Sequence, residues 1–152
     1  VALVLARQTL PNLAETAATG DAAGRGGYVL WEPPQRPRLA LLATGSEVHL
    51  ALAAAQSLLV EGIAARVVSL PCWELFERQD AGYREQVLPH WLDRRVAVEA
   101  ASPLGWHRWV GADGAIVGMD GFGASAPGDV LQAHFGFTVA RVMDAARRRL
   151  EP

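Results

Sequence analysis

The stretch PRLALLATGSEVHLALAAAQSLLVEG (residues 37–62) predicts a strand that runs directly into a helix. It begins with a continuous apolar run from Leu39 to Ala43, which is typical of a strand covered on both faces. After the turn Thr44–Ser46, apolar residues recur every three or four positions from Val48 to Leu59, the period of a helix packed on one face. Gly62 then supplies the residue type that commonly ends a helix.

The same alternation of strand and helix continues on both sides of this stretch. Further strands are predicted at residues 27–32, 63–70, 94–101 and 114–119, and further helices at residues 80–88, 126–136 and 138–150. Thr138 begins the last of these segments, and its side chain can cap the free backbone N–H groups of the helix. The alternation predicts an α/β sandwich with a mostly parallel sheet.

Composition limits the classes of function. The chain has 152 residues, of which 51% are hydrophobic and 20% charged, and its net charge is −2, so a basic nucleic-acid-binding face is not expected. No apolar run approaches the roughly 20 residues of a membrane-spanning helix. A single cysteine, Cys72, fits a cytoplasmic protein. All 14 basic residues are arginine, which hints at a GC-rich bacterial genome.

The chain divides into three parts. Residues 1–12 contain the apolar run VALVLA, which reads as a strand, and its exit. Residues 13–26 are small, polar and rich in glycine, which predicts a linker. Residues 27–152 form the compact unit. Because the chain starts at Val1 with a strand that has no preceding element, we expect a piece of a longer protein.

Two places in the compact unit could carry chemistry. The turn Thr44, Gly45, Ser46 offers backbone N–H groups at the start of a helix and could form a weak anion site. A simpler interpretation is that Ser46 caps the helix while Glu47 complements its dipole. Glu99 ends a buried strand at the edge where α/β proteins bind ligands. It could be an acid or base with a raised pKa, but a structural acceptor is favoured, for backbone N–H groups or the indole N–H of Trp106.

Other motifs indicate structure rather than chemistry. The four histidines have no metal-binding spacing, and each is expected to be a surface or structural residue. Asp113-Gly114 is predicted to form a tight turn. The loop GFGASAP (residues 121–127) carries no charged residue, and we expect its backbone to approach a neighbouring domain or subunit.

The order of these motifs resembles one family. The blocks LARQTLP, GGYVL, ATGSEV, ARVVSLP, ELFERQDAGYREQVLP, VAVEA, GFGASAP and FGFT occur in the order and spacing of the C-terminal part of transketolase. The resemblance covers nearly the whole chain and is weakest in the linker. It implies a three-layer sandwich with a five-stranded sheet, mostly parallel with one antiparallel strand. Residues 1–12 would then be the last strand and exit of the preceding pyrimidine-binding domain.

The resemblance also implies a function. Transketolases are homodimers that transfer a two-carbon ketol unit between sugar phosphates, in the pentose phosphate pathway. They use thiamine diphosphate and Mg²⁺ or Ca²⁺. The catalytic and cofactor-binding residues of the family would lie outside this chain, so the chain alone is expected to bind no cofactor or metal and to be inactive.

One family residue is carried over, the arginine of the block RQ-x-L, which is Arg7 here and would bind the substrate phosphate. Its planar guanidinium matches phosphate oxygens. The other expected partners are the remaining transketolase domains and a second subunit. The alternative is a regulatory or assembly domain of a related thiamine-diphosphate enzyme, either deoxyxylulose-phosphate synthase or a 2-oxoacid dehydrogenase β-subunit.

Overall fold

A computed structural model describes Leu5 and residues 8–151 of the chain. Its centre is one five-stranded sheet with the order β1-β3-β2-β4-β5. The strands are β1 (Tyr28–Trp31), β2 (Leu39–Ala43), β3 (Ala65–Ser69), β4 (Arg95–Val98) and β5 (Ala115–Val117). Strand β1 pairs with β3 in the antiparallel direction, and the other three pairings are parallel. The predicted sheet, mostly parallel with one antiparallel strand, is therefore confirmed.

Among the described residues, seven α-helices accompany the sheet. They are α1 (Ala14–Ala17), α2 (Val48–Val60), α3 (Trp73–Glu77), α4 (Ala81–Val87), α5 (His107–Val110), α6 (Gly128–Phe135) and α7 (Val139–Leu150). The predicted cap at Thr138 is confirmed, and Asp80 caps α4 in the same way. The side chain of Asp80 accepts a hydrogen bond from the backbone N–H of Tyr83, and that of Thr138 accepts one from Arg141. Gly62, with φ +79°, follows α2 and allows the N–H of Ile63 to reach the carbonyl of Leu58.

The two faces of the sheet bury separate cores, which makes the fold a three-layer sandwich. Alternate residues of β2 point to opposite faces. Leu39 and Leu41 belong to the core beneath α2 and α7, whereas Ala40 and Leu42 belong to the core beneath α3, α4 and α5. The five residues of β2 are completely buried, as the continuous apolar run predicts.

The segment expected to be a linker contains local structure. It forms helix α1 and a 3-10 helix over Gly20–Arg25. Leu13 and Ala22 pack against the core beneath α2 and α7. These short turns have no apolar period, so the sequence pattern did not indicate them. The predicted strand VALVLA lies, apart from Leu5, outside the described residues.

The helices that the structure describes can be compared with the requirements of a membrane-spanning helix. None of them combines the length and the apolar character that a bilayer crossing requires.

Candidate functional site

The order of the strands creates a crevice at one edge of the sheet. After β2 the chain passes to β3 on one side, and then crosses to β4 on the other side of β2. In open α/β sheets, ligands bind outside the carboxyl ends of the strands at such a switch point. The residues that follow β2 are Thr44 to Glu47, and the residue that follows β4 is Glu99. Both sequence candidates therefore lie at the same edge.

Two glutamates lie at this edge, one of them buried and the other half-buried. Glu47 is only 4% exposed, and its Oε1 accepts a hydrogen bond of 2.6 Å from the hydroxyl of Ser46. Glu99 is half-buried, and its Oε2 accepts one of 3.2 Å from the indole Nε1 of Trp106. The interpretation of Glu99 as an acceptor for Trp106 is confirmed. The burial of Glu47 was missed; the only available signal was a glutamate shortly after the end of a buried strand.

The surroundings of Glu99 change its pKa. Burial raises the pKa of Glu99, the nearby charge of Glu47 raises it further, and the hydrogen bond from Trp106 lowers it. Among the residues that the structure describes, no arginine or histidine forms an ion pair with either glutamate. Glu99 therefore keeps a proton to higher pH than an exposed glutamate does.

A cavity of about 220 Å³ adjoins Glu47. Its walls are mostly apolar and include Met119, Phe135 and Phe137, with the side chain of Gln8 as a polar member. The amide of Gln8 also lies 3.4 Å from that of Gln132. Gln8 is the described neighbour of Arg7, which itself lies outside the described residues. The phosphate-binding role of Arg7 therefore stays a prediction.

The turn Thr44–Ser46 does not contain the helix cap that the sequence predicted at Ser46. The hydroxyl of Ser46 donates to Glu47 and accepts no backbone N–H, so the interpretation of Ser46 as a helix cap is wrong. Gly45 adopts φ +54°, which makes the turn tight. The weak anion site at this turn stays a prediction. The buried carboxylate of Glu47 beside it would repel an anion.

The tight turn predicted at Asp113-Gly114 is confirmed. Asp113-Gly114 forms part of a turn closed by the N–H of Gly114 and the carbonyl of Gly111. In the described part of the chain, no three histidine, cysteine or acidic side chains come together as metal ligands. The loop 121–127 is exposed, and Phe122 at its tip is 99% exposed.

Comparison with known proteins supplies the family. Residues 26–138 match the family model of the transketolase-like TK C-terminal domain. The chain is 52% identical over 151 residues to a transketolase of Sinorhizobium medicae and 49% identical over 149 residues to transketolase 1 of Escherichia coli. These alignments cover 96% and 98% of the chain, but only 21% and 22% of the relatives.

A solved structure agrees with this assignment. The Pichia stipitis transketolase in complex with sedoheptulose-7-phosphate superposes with a TM-score of 0.75 at 35% identity, covering 84% of this chain and 18% of that one. The relatives are named transketolase, which favours this assignment over the two related thiamine-diphosphate enzymes. The chain spans about a fifth of the length of the curated relatives it matches, and it belongs to the transketolase-like C-terminal domain family.

Proposed function

We propose that this chain works as the C-terminal part of a transketolase that transfers a two-carbon ketol unit between sugar phosphates. The observation that carries the proposal is the family match over residues 26–138, together with about 50% identity to named transketolases along nearly the whole chain. The complex of the Pichia stipitis relative with sedoheptulose-7-phosphate supports a sugar phosphate as substrate. The activity belongs to the longer protein, and we expect the 152-residue chain alone to be inactive.

We place the cofactor outside this chain. Thiamine diphosphate, when bound with Mg²⁺ or Ca²⁺, supplies a carbanion that accepts the ketol unit. Its diphosphate and metal need several oxygen ligands and cationic or N–H donors. The edge of the sheet described above instead presents Glu47 beside apolar walls, which does not fit a diphosphate. No step of the reaction is therefore assigned to residues of this chain.

The proposed contribution of this chain to substrate binding is Arg7. A guanidinium can form two parallel hydrogen bonds to a phosphate, and its charge is permanent. Gln8, the next residue, lies at the carboxyl edge of the sheet, where α/β proteins collect ligands. The rest of the phosphate site would come from the preceding domain.

The test uses the full-length polypeptide that carries this chain. We expect Arg7→Ala to raise KM for a phosphorylated ketose by about tenfold to a hundredfold, because one hydrogen bond to a charged group is worth about 1.5–3 kcal/mol. An unphosphorylated ketose donor should be affected much less. Arg25→Ala, in the linker, is the matched control and should leave both values unchanged. Equal KM values for wild type and Arg7→Ala would remove Arg7 from the site. Absence of ketol transfer by the wild-type polypeptide, supplied with thiamine diphosphate and Mg²⁺, would refute the function itself.

The partners of the proposed enzyme are its other domains and a second subunit. The loop 121–127 is the proposed contact surface, since it is exposed, uncharged apart from its neighbours Asp120 and Asp129, and presents Phe122 to solvent. Aromatic residues are enriched in the buried centres of interfaces. A cytoplasmic location is consistent with the single cysteine of the chain.

A further inference from the structure

A second cleft lies at the opposite edge of the sheet, where β4 begins. It has a volume of about 330 Å³ and is lined by residues of α4, α5 and β4, among them Arg84, Arg95, Arg108 and Trp109. Three guanidinium groups thus surround one space. The volume is at the lower end of the range of small-molecule sites. We propose that this cleft binds a small ligand through a phosphate group.

The arginines are not neutralised equally. Within the described part of the chain, Arg95, the first residue of β4, donates only to carbonyl oxygens, those of Leu92, Trp109, Leu88 and Pro89. Its burial lowers its pKa, and Asp93 and Glu85 act on it only through space. A half-buried cation bonded to neutral groups leaves positive charge in the cleft that an anion would balance.

Arg84 and Arg108 contribute differently. Arg84 lies on the exposed face of α4, and within the described ranges it forms no ion pair. Its guanidinium can therefore donate hydrogen bonds to phosphate oxygens. Arg108 pairs with Glu77 at 2.8 Å and lies near the ring of Trp109. The acidic residue of the cleft, Glu85, is engaged by the backbone N–H and ring of His90. The cleft thus holds three arginines against one glutamate, and one of these arginines, Arg84, forms no ion pair with a described residue.

The indole of Trp109 adds an unused donor. Trp109 lines the cleft and is 9% exposed, and its buried Nε1–H has no acceptor among the residues that the structure describes. A buried donor without an acceptor costs about 1–3 kcal/mol, so such groups usually have a partner. Trp109 packs against Phe76 and Trp73, which holds the ring in place. Because solvent does not reach this Nε1, a phosphate oxygen would accept from it only after the ring shifts, and the arginines that line the cleft are the groups that carry the proposed binding.

The proposal can be tested on the 152-residue chain by NMR. The chain contains five tryptophans, so the indole N–H region of a ¹H–¹⁵N spectrum is simple, and Trp109→Phe identifies the signal of interest. Addition of inorganic phosphate, at constant ionic strength against chloride, should shift the Trp109 signal with saturation. A signal that does not move, or that moves equally with chloride, would overturn the proposal.

Charge variants give a second readout. Arg84→Gln should weaken phosphate binding by about tenfold or more, since it removes a charge-assisted hydrogen bond. Arg148→Gln, an exposed arginine of α7 on the other face of the sheet, is the matched control and should leave affinity unchanged. Glu77→Gln should tighten binding because it releases Arg108. Equal affinities of the Arg84 and Arg148 variants would contradict the cleft as the site.

The source of the phosphate group is decided in the same titration. Ribose 5-phosphate that binds more tightly than inorganic phosphate assigns the cleft to a phosphorylated metabolite. Equal affinities assign it to the free ion.

Discussion

Replacement of Glu99 tests the pair of glutamates at the carboxyl edge of the sheet. Glu99→Gln removes the charge but keeps an oxygen that can accept the hydrogen bond of Trp106, whereas Glu99→Leu removes both. Trp106 is only 1% exposed, so its N–H loses its acceptor in the leucine variant. A buried unpaired donor costs about 1–3 kcal/mol, and the leucine variant should be less stable than the glutamine variant by that amount. For a chain of this length, ~2 kcal/mol corresponds to a difference in Tm of about 4–8 °C.

The charge has a separate effect that depends on pH. Because the folded-state pKa of Glu99 is raised above 4.5, the folded chain keeps a proton that the unfolded chain has already lost. The stability that wild type has at low pH is therefore lost as the pH rises through the folded-state pKa. Glu99→Gln has no such loss. It should match wild type near pH 4 and be the more stable protein near pH 8.

Urea denaturation, followed by circular dichroism at several pH values, measures both effects. The difference in free energy of unfolding between wild type and Glu99→Gln isolates Glu99 from the other titrating groups. If this difference does not change with pH, the raised pKa is refuted. If the glutamine and leucine variants are equally stable at every pH, the hydrogen bond from Trp106 contributes nothing.

Two further predictions concern backbone geometry and capping. Gly26→Ala should destabilise the chain by at least about 2 kcal/mol in the same urea assay, since left-handed backbone alone costs a non-glycine residue about 1–2 kcal/mol and a Cβ there would lie 2.3 Å from the carbonyl oxygen of Cys72. Gly24→Ala, which meets open space, is its control and should change stability by less than about 0.5 kcal/mol; similar losses in both would refute the close approach. Thr138→Ala removes the hydrogen bond to the N–H of Arg141 and should cost about 1 kcal/mol, while Thr138→Ser should retain most of it.

The sheet and the long helices could be predicted because their signals are local. The apolar run of β2 and the helical period of apolar residues in α2 each lie within one short segment of the sequence. Gly62 marks the end of the helix. Helices α3 and α5, with five and four residues, escaped prediction. They are too short to show a period, and their place is fixed by contacts of Trp73 with Trp106 and Trp109 across the core.

The site was predictable only in part, for a similar reason. Glu99 and Trp106 are close in sequence, and the end of a buried strand marks the glutamate, so their hydrogen bond could be expected. The burial of Glu47 depends on the crossing of the chain from β3 to β4, which no local pattern reports. The cleft around Arg95 likewise requires α4, α5 and β4 to meet. Sequence patterns identified the edge of the sheet, but the electrostatic character of both edges is set by tertiary packing.

That electrostatic character separates the two places where a phosphate could bind. The turn Thr44–Ser46 has the backbone form of an anion site, but its hydroxyl is used by Glu47 and the nearest charge is negative. The cleft at the other edge lacks a glycine-rich turn but is lined by three arginines and by Trp109, whose buried indole N–H has no partner within the described ranges. In a half-buried site, the charge of nearby side chains affects phosphate binding more than the conformation of the backbone does. Phosphate should therefore shift the indole signal of Trp109 at concentrations that leave the amides of Gly45 and Ser46 unchanged. If the amides of Gly45 and Ser46 shift at lower phosphate concentrations than the indole of Trp109, the backbone N–H groups bind phosphate despite the neighbouring carboxylate. The turn Thr44–Ser46 would then be the preferred phosphate site.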